Sequence, residues 1–387
     1  MSTAEPEPTT PPLPFDVGTR AHLPPPPGFP LISVGLTAHL PTAAQVAAAE
    51  AAKPAFSFAW MHPVSLSGPR YVAMTPMRVV VAGGDDPMAG FAIADGTPVW
   101  TAPVAASAPL ATLDRIVFAT SDKALTAVDA STGTVVWTTA VAGAVPAAGP
   151  LAVDGRIIVS TATDVRAYRA DDGRQLWRQD VGSPAIVPLA NGVNSVVVAL
   201  ADHTMAALNL ETGAVNWRVP IAMTPTGVVA NGDRVYFGTS EGPACAYTQD
   251  GGRMDWCYRV RVPAIGAPAL DNRLVYMVFF DNTVRLFDRG NGAMRRVDIL
   301  PRRALAGPAL TAPTEMLVPL VTDEVFALSR AEKPSATATP PKPAITDQPQ
   351  PSASLQAIAV APDGGWMALL TVSPVDRAVV VYKHKLR

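Results

Sequence analysis

The sequence predicts an all-β fold, a β-propeller built from repeated four-stranded blades. The first observation behind this prediction is a run of tryptophans spaced about forty residues apart: Trp60, Trp100, Trp137, Trp177, Trp217 and Trp256. The second is a glycine four residues before each position in this phase from 100 onward: Gly96, Gly133, Gly173, Gly213, Gly252 and Gly292. A period near forty with four short strands per repeat is typical of propeller blades.

Each repeat contains the residue types that a tight hairpin and a docking contact require. Glycine adopts the positive φ of a hairpin turn without a Cβ clash. A small residue ten positions before the tryptophan, such as Ala167 before Trp177, leaves room for the indole. We therefore expect the tryptophans to lock neighbouring blades together. Arg296 stands where the next tryptophan is due, so the contact there is expected to be weaker or differently made.

The strands can be placed coarsely from their alternation and turns. Within residues 137–176 we expect WTTAVAG, GPLAVD, RIIVSTA and VRAYRA, so that each unit begins at its tryptophan. Repetition of this pattern over residues 54–330 gives seven blades. Residues 331–352 contain six prolines and are expected to be a linker.

The ends of the chain are expected to close the ring. Residues 353–387 supply three more strands, and the apolar segment 30–36 is expected to supply the fourth, because an open ring exposes strand edges. We therefore expect eight blades, with seven blades plus an accessory hairpin as the alternative. Residues 1–30 contain ten prolines and are expected to be disordered, and residues 31–53 to form a lead-in strand and a short helix.

Composition excludes several classes of protein. The net charge of −2 gives no indication of nucleic-acid binding. No apolar run approaches the ~18 residues of a transmembrane helix, and the sequence as given has no signal peptide or lipid-attachment cysteine near its start. Five scattered histidines and two cysteines provide no metal-ligand spacing.

The repeats resemble those of a known family. Residues 149–177 have the form GPLAVDGRIIVST…AYRADDGRQLW, which is similar to the PQQ-like repeat of quinoprotein-type propellers, and the resemblance covers about residues 57–330. That family includes quinoprotein alcohol and glucose dehydrogenases, which bind pyrroloquinoline quinone. It also includes non-enzymatic propellers such as the outer-membrane assembly factor BamB.

Departures from the dehydrogenases favour the non-enzymatic branch. Those enzymes are much longer, and many have an adjacent cysteine pair and a calcium ion near a catalytic aspartate. Here Cys245 and Cys257 are separated in sequence and no long insertion could build a cofactor lid. BamB-like proteins match in size and in their bare blades, although this chain adds a proline-rich head and the 331–352 linker.

We therefore expect a non-catalytic scaffold that binds protein partners, with no cofactor and no metal. One alternative is an enzyme that binds pyrroloquinoline quinone or another small ligand in the central channel. Another is an accessory subunit of a larger envelope or extracellular complex. The resemblance favours a periplasmic or cell-envelope location.

Four further features have a structural and a functional interpretation. The stretch GTSEG (238–242) matches a hydrolase nucleophile motif at Ser240, but repeat alignment puts it in a hairpin with no helix following. The segment LPPPPGFP (23–30) is either a polyproline ligand or, preferably, a spacer. Cys245 and Cys257 flank a hairpin turn and are either a disulfide or two reduced thiols.

The fourth feature concerns charge. An acidic residue recurs in one turn of successive repeats, which suits turn chemistry and, alternatively, an acidic face for a basic partner or a metal: Asp122, Asp164, Asp202, Glu241, Asp281 and Asp323. The stretch MRRVDILPRR is a possible interaction patch because arginine suits bidentate contacts with anions: Arg295, Arg296, Arg302 and Arg303. A solvated rim is the alternative.

Overall fold

The computed structural model describes residues 56–65, 70–312, 315–322, 324–330, 342–345, 353–373 and 377–385. The chain divides into two compact units, Met1–His39 and Leu40–Arg387, and every described residue lies in the second. The segments 30–36 and 42–53, for which we expected a strand and a helix, lie outside the described residues.

The described chain contains strands and turns only. The first half of the strands is β1 (Phe56–Pro63), β2 (Tyr71–Met74), β3 (Arg78–Gly83), β4 (Asp86–Ala92), β5 (Pro98–Ala102), β6 (Ala111–Leu113), β7 (Ile116–Thr120), β8 (Ala124–Asp129), β9 (Val135–Ala140), β10 (Leu151–Val153), β11 (Arg156–Ser160), β12 (Asp164–Arg169), β13 (Gln175–Asp180), β14 (Ala190–Gly192), β15 (Ser195–Ala199) and β16 (Thr204–Asn209). The second half is β17 (Val215–Pro220), β18 (Pro225–Asn231), β19 (Arg234–Thr239), β20 (Ala244–Thr248), β21 (Met254–Tyr258), β22 (Ala264–Leu270), β23 (Leu274–Phe279), β24 (Thr283–Asp288), β25 (Met294–Ile299), β26 (Ala309–Ala312), β27 (Glu315–Pro319), β28 (Val325–Ser329), β29 (Lys342–Pro343), β30 (Ser354–Val360), β31 (Trp366–Val372) and β32 (Arg377–His384).

These strands form eight four-stranded antiparallel sheets, the blades of an eight-bladed propeller. Blades one to seven take four consecutive strands each, from β2–β5 to β26–β29. The first strands of successive blades contact one another around the ring, as β6 does with β10 and β10 with β14, so they are innermost. The strands that contain the six regularly spaced tryptophans are outermost and partly exposed. Eight blades were expected, and the number is confirmed.

The eighth blade joins the two ends of the described chain. Its sheet has the order β1-β32-β31-β30, so a strand from the beginning of the ring completes three strands from the end. Closure by N- and C-terminal strands is confirmed. The expectation that the segment 30–36 supplies the fourth strand was wrong, because Phe56–Pro63 takes this position by pairing with β32. Closure packs blade one against blade eight, as the contacts of β2 with β30 and β31 show, so no blade lacks a neighbour and only short strand edges remain.

The strand grouping that we expected is shifted by one strand. We took the tryptophan strand as the first of its unit, whereas β13 with Trp177 is the last strand of the blade that begins at β10. Trp60 likewise lies in the outermost strand of blade eight. Sequence periodicity fixes the length of a repeat but not the strand at which a sheet begins.

Part of the proline-rich stretch 331–352 belongs to the propeller. Strand β29 pairs with β28 as the outermost strand of blade seven. Ala344 and Ile345, which follow it, are buried with Phe56 and Leu355, and the Phe56 amide donates to the Ala344 carbonyl at 3.0 Å. This segment therefore links blade seven to blade eight.

The ring has two faces with different kinds of loop. Hairpins between second and third strands lie beside the connections between blades, as shown by the 2.8 Å bond from the Ile221 amide to the His203 carbonyl. We call this side the crossover face. Hairpins between first and second strands, and between third and fourth strands, lie at the opposite strand ends, which we call the turn face.

At six of the eight junctions a tryptophan connects one blade to the next at the turn face. The indole of Trp177 packs on the turn glycine Gly213 of the following blade, and its Nε1 donates to the Leu210 carbonyl at 2.9 Å. Five other tryptophans make the same bond at 2.7 to 3.0 Å to the residue three positions before the turn glycine: Trp60, Trp100, Trp137, Trp217 and Trp256. Opposite Trp177 in its own sheet lies Ala167, which makes room for the ring.

Two separate constraints, a positive φ and close contact with an indole, require glycine at these turn positions. Gly213 has φ of 74°, in the left-handed region. A Cβ atom there would lie 2.6 Å from Cε3 of Trp177, which is closer than van der Waals contact. The same conflict with a tryptophan of the preceding blade exists at Gly96, Gly133, Gly173, Gly252 and Gly292.

A second, polar contact links blades on the turn face. It joins the second strand of one blade to the third-to-fourth turn of the next, and its chemistry differs at each site. The pairs are Arg78 with the Ser131 carbonyl, Arg156 with Glu211, Ser195 with Gln249, Tyr236 with Arg289, and Tyr276 with the Arg330 carbonyl. The tryptophan contact is thus constant around most of the ring, and the polar contact is variable.

Substitution of Gly213 by alanine should separate docking from backbone strain. Gly182 has a similar φ of 71°, but a Cβ added there would meet no atom within 4 Å, so it is the matched control. We expect Gly182→Ala to cost about 1 kcal/mol, from left-handed strain alone. Gly213→Ala should cost about 1–3 kcal/mol more, because the indole must move. Thermal unfolding followed by tryptophan fluorescence measures both, and equal losses would contradict the docking role.

Candidate functional site

The two cysteines form a disulfide across the outer hairpin of blade five. Cys245 in β20 and Cys257 in β21 are directly opposite in the antiparallel register, with Cα atoms 4.1 Å apart and an S–S distance of 2.03 Å. Cys245 is fully buried, whereas Cys257 lies on the exposed outer strand. Disulfides of this kind persist in oxidising compartments.

The arginines of the MRRVDILPRR stretch divide into two groups. Arg295 pairs with Asp288 at 2.7 Å, and Arg296 with Asp298 at 2.5 Å. The Arg296 side chain is 7% exposed, opposite Leu286, so it belongs to the blade and not to an outer surface. Burial raises the pKa of Asp298 even though Arg296 lies beside it. Arg302 and Arg303, in contrast, lie exposed in the loop that leads to blade seven.

The series of acidic turn residues lies on the crossover face, but most of its charge is neutralised there. Asp202 pairs with Arg218, and Asp281 with Arg285 at 2.6 Å. Glu241 accepts a hydrogen bond from the Thr224 amide at 2.9 Å. Asp323 lies outside the described residues. The arrangement agrees with turn chemistry and provides little free negative charge for a basic partner.

Asp164 is the most buried member of this series. Its carboxylate is 1% exposed and lies between Arg166, at 2.6 Å, and Arg178, at 2.7 Å. The Thr161 hydroxyl also donates to it at 2.8 Å. Burial raises the pKa of Asp164, but the hydrogen bonds from Arg166 and Thr161 and the two positive charges outweigh it, and the net pKa is lowered. This network stabilises the fold of blade three.

Ser240 lies in the hairpin between β19 and β20, with a strand on either side. Its amide donates to the Thr224 carbonyl at 2.9 Å. The strand-to-helix elbow that a G-x-S-x-G nucleophile needs is therefore not present at this position.

The eight innermost strands lack charged, imidazole and thiol side chains. Strands β2, β6, β10, β14, β18, β22, β26 and β30 contain no Asp, Glu, Lys, Arg, His or Cys. Their backbones pack closely in one sector, where a Cβ on Gly227 would overlap the backbone of Ala267 in the next blade.

Among the described residues, no group of three or more histidine, cysteine or carboxylate side chains is placed to hold a metal ion. The same residues include no helix long and apolar enough to cross a membrane.

An open cleft of about 460 Å³ lies on the turn face at blades four and five. Its lining is Val193, Gly232, Asp233, Arg234, Thr248, Gln249, Asp250 and Arg253. Arg234 is held between Asp233 at 2.8 Å and Asp255 at 2.6 Å, and Gln249 lies 3.0 Å from the Ser195 hydroxyl. These polar groups satisfy one another, so the cleft offers no convergent set of donors for a cofactor.

The comparisons with known proteins agree with the geometry. A family model described as outer membrane protein assembly factor BamB matches residues 44–149, 132–222 and 201–328, which is more than half of the chain. No match was found among curated proteins.

Three solved structures share the fold. The computationally designed protein Ika8 has a TM-score of 0.68 at 13% identity, over 86% of this chain and 100% of that one. The C-terminal WD40 domain of Sif2 has a TM-score of 0.66 at 10% identity, over 85% and 98%. Quinohemoprotein alcohol dehydrogenase ADHIIG from Pseudomonas putida HK5 has a TM-score of 0.58 at 13% identity, over 86% and 76%. At these identities the similarity shows the fold alone.

Acid should abolish the contribution of Asp164 to stability. Its folded-state pKa is lowered, so the contribution is present above the ordinary carboxyl pKa of about 3.9 and is lost as the pH falls below that value. We expect Asp164→Asn to cost about 3 kcal/mol at neutral pH, because two arginines lose their buried partner, and the difference from wild type to shrink below about pH 4. Thermal unfolding across pH measures this. Asp172→Asn, which removes an exposed partner of Arg169, is the control and should change the midpoint little.

The disulfide predicts the thiol content of the protein. Denatured, unreduced protein should show no thiol that reacts with Ellman's reagent, and reduction should release the two that the sequence contains. The bond closes a loop with a sequence separation of 12, so serine at both positions should cost about 2–3 kcal/mol. Two reactive thiols before reduction would contradict the bond.

Proposed function

Because the chain belongs to the PQQ-like repeat β-propeller family, within the group described as outer membrane protein assembly factor BamB, we propose that it is a non-catalytic scaffold that binds other proteins. The single observation that carries the proposal is the composition of the innermost strands, which contain no charged, imidazole or thiol side chain. A trianionic quinone with its cation needs several convergent donors near the axis, and these strands do not supply them.

The connections between blades support the same proposal. From blade one to blade seven they are short, and none is longer than residues 141–150. Such loops leave the crossover face of the ring open and rigid, because each is anchored by backbone bonds to a neighbouring hairpin. A rigid face with exposed loops suits recognition of another protein.

We place the protein in the cell envelope, as an assembly factor or as an accessory subunit of a larger envelope complex. The disulfide supports this location, since structural disulfides are rare in reducing compartments. The family model provides the analogy with outer-membrane protein assembly.

A quinoprotein enzyme is the alternative, and the fold that the chain shares with ADHIIG is the observation in its favour. Purified protein titrated with pyrroloquinoline quinone and calcium should show no bound quinone absorbance, and a dye-linked alcohol oxidation assay should show no turnover. A quinone retained through gel filtration, together with turnover, would reject the scaffold.

Crosslinking in the native cell provides the positive test of the scaffold. A photo-reactive amino acid placed on the crossover face should crosslink this protein to one partner protein in a fixed ratio. The same amino acid at Arg115 on the turn face is the positional control, because its side chain is 72% exposed. A scaffold that yields no adduct from any exposed loop of either face would contradict the proposal.

A further inference from the structure

Two loops that flank blade six differ in charge from the other connections between blades one and seven. The six connections between blades one and seven are residues 103–110, 141–150, 181–189, 221–224, 259–263 and 300–308. The first four contain no charged residue. The last two contain four arginines and no carboxylate: Arg259, Arg261, Arg302 and Arg303.

These loops are neighbours on the crossover face. The Phe280 amide donates to the Pro263 carbonyl at 3.0 Å, which ties the blade-six hairpin to the first loop. The Leu300 amide donates to the Asn282 carbonyl at 2.7 Å, which ties the same hairpin to the second loop. The surface formed by Arg259, Arg261, Phe280, Arg302 and Arg303, which we call the blade-six arginine surface, is therefore continuous.

An exposed aromatic ring lies within this surface. Phe280 is 47% exposed, and the guanidinium of Arg303 lies over its ring at 5.4 Å. Val321, in the next hairpin, is 42% exposed, and its amide donates to the Arg303 carbonyl at 3.0 Å. Aromatic residues and arginine are both enriched at protein interfaces relative to the rest of the surface.

The positive charge of the surface is largely unbalanced. All four arginines are exposed, and among the described residues only Arg302 has a carboxylate partner, Glu324 at 3.3 Å. Two of the nearby carboxylates are already paired, Asp281 with Arg285 and Asp298 with Arg296. Three arginines on adjacent loops thus have no ion pair within the described chain.

We propose that the blade-six arginine surface binds an acidic, extended segment of a partner protein, whose carboxylates pair with the arginines and whose apolar side chain covers Phe280. This rests on the proposed function as a protein-binding scaffold. A protein segment fits better than a polyanion surface, because the chain as a whole has a net charge of −2 and would be repelled by an extended negative surface. A short segment meets only the local positive charge.

The test uses fluorescence anisotropy with a short labelled peptide that alternates glutamate with serine around one central leucine. We expect saturable binding at ~0.15 M salt. Arg302→Glu with Arg303→Glu should weaken binding about tenfold, as should Arg259→Glu with Arg261→Glu, because attraction becomes repulsion. Phe280→Ala should weaken binding several-fold by removal of the apolar anchor. Melting temperatures of all variants should stay close to wild type.

Matched controls decide the result. Arg174→Glu with Arg253→Glu makes the same charge change on the turn face and should leave binding intact. The proposal is overturned by no binding, by equal binding of the glutamine version of the peptide, or by an equal effect of the control variant. An unchanged affinity of Phe280→Ala, or tighter binding to phosphatidylglycerol vesicles or to single-stranded DNA than to the peptide, also overturns it. If peptide binding fails while crosslinking in cells still yields a stoichiometric adduct, only this surface assignment falls and the scaffold function stands.

Discussion

The contact between an indole and the turn glycine of the next blade is the constraint on which the ring depends. Each blade of a propeller touches mainly its two neighbours, so ring stability is close to a sum over adjacent pairs. The contact joins apolar burial to one directed hydrogen bond, as in Trp217 with the Gln249 carbonyl at 2.7 Å. The bond fixes the angle between blades, and the buried ring supplies most of the free energy.

Blade six breaks this regularity and also carries the arginine-rich loops. Where a tryptophan would dock on blade seven, Arg296 forms a buried pair with Asp298. A buried ion pair contributes less to stability than packed apolar groups of the same volume. On the turn face the same junction is held by Tyr276, which donates to Asp271 at 2.5 Å, and by Arg330, which pairs with Asp271 at 3.2 Å. The missing tryptophan contact is thus offset by polar contacts on the same face.

Much of the fold could be predicted from the sequence, because the residues that carry it recur. The spacing from Trp177 to Trp217 set the repeat length, and Gly213 set the turn. The phase could not be predicted, because strand pairing and not periodicity decides that Trp60 lies in an outermost strand. Strand β29 could not be predicted within the proline-rich stretch, because two residues are too few to show the alternating pattern of a strand. At the candidate site, Arg302 and Arg303 were identified from the sequence, whereas the partners of Arg295 and Arg296, and the proximity of Arg259, arise only in three dimensions.

The way the ring closes has a consequence for its biosynthesis. The ribosome makes β1 long before its partner β32, because 313 residues lie between Pro63 and Arg377. Until β32 is made, β1 has no strand to pair with, and its backbone N–H and C=O groups stay exposed. Exposed strand edges promote aggregation with other chains. A nascent chain of this protein should therefore depend on holdase protection until β32 has been made, and a variant truncated before Arg377 should aggregate in place of forming a ring that lacks one strand.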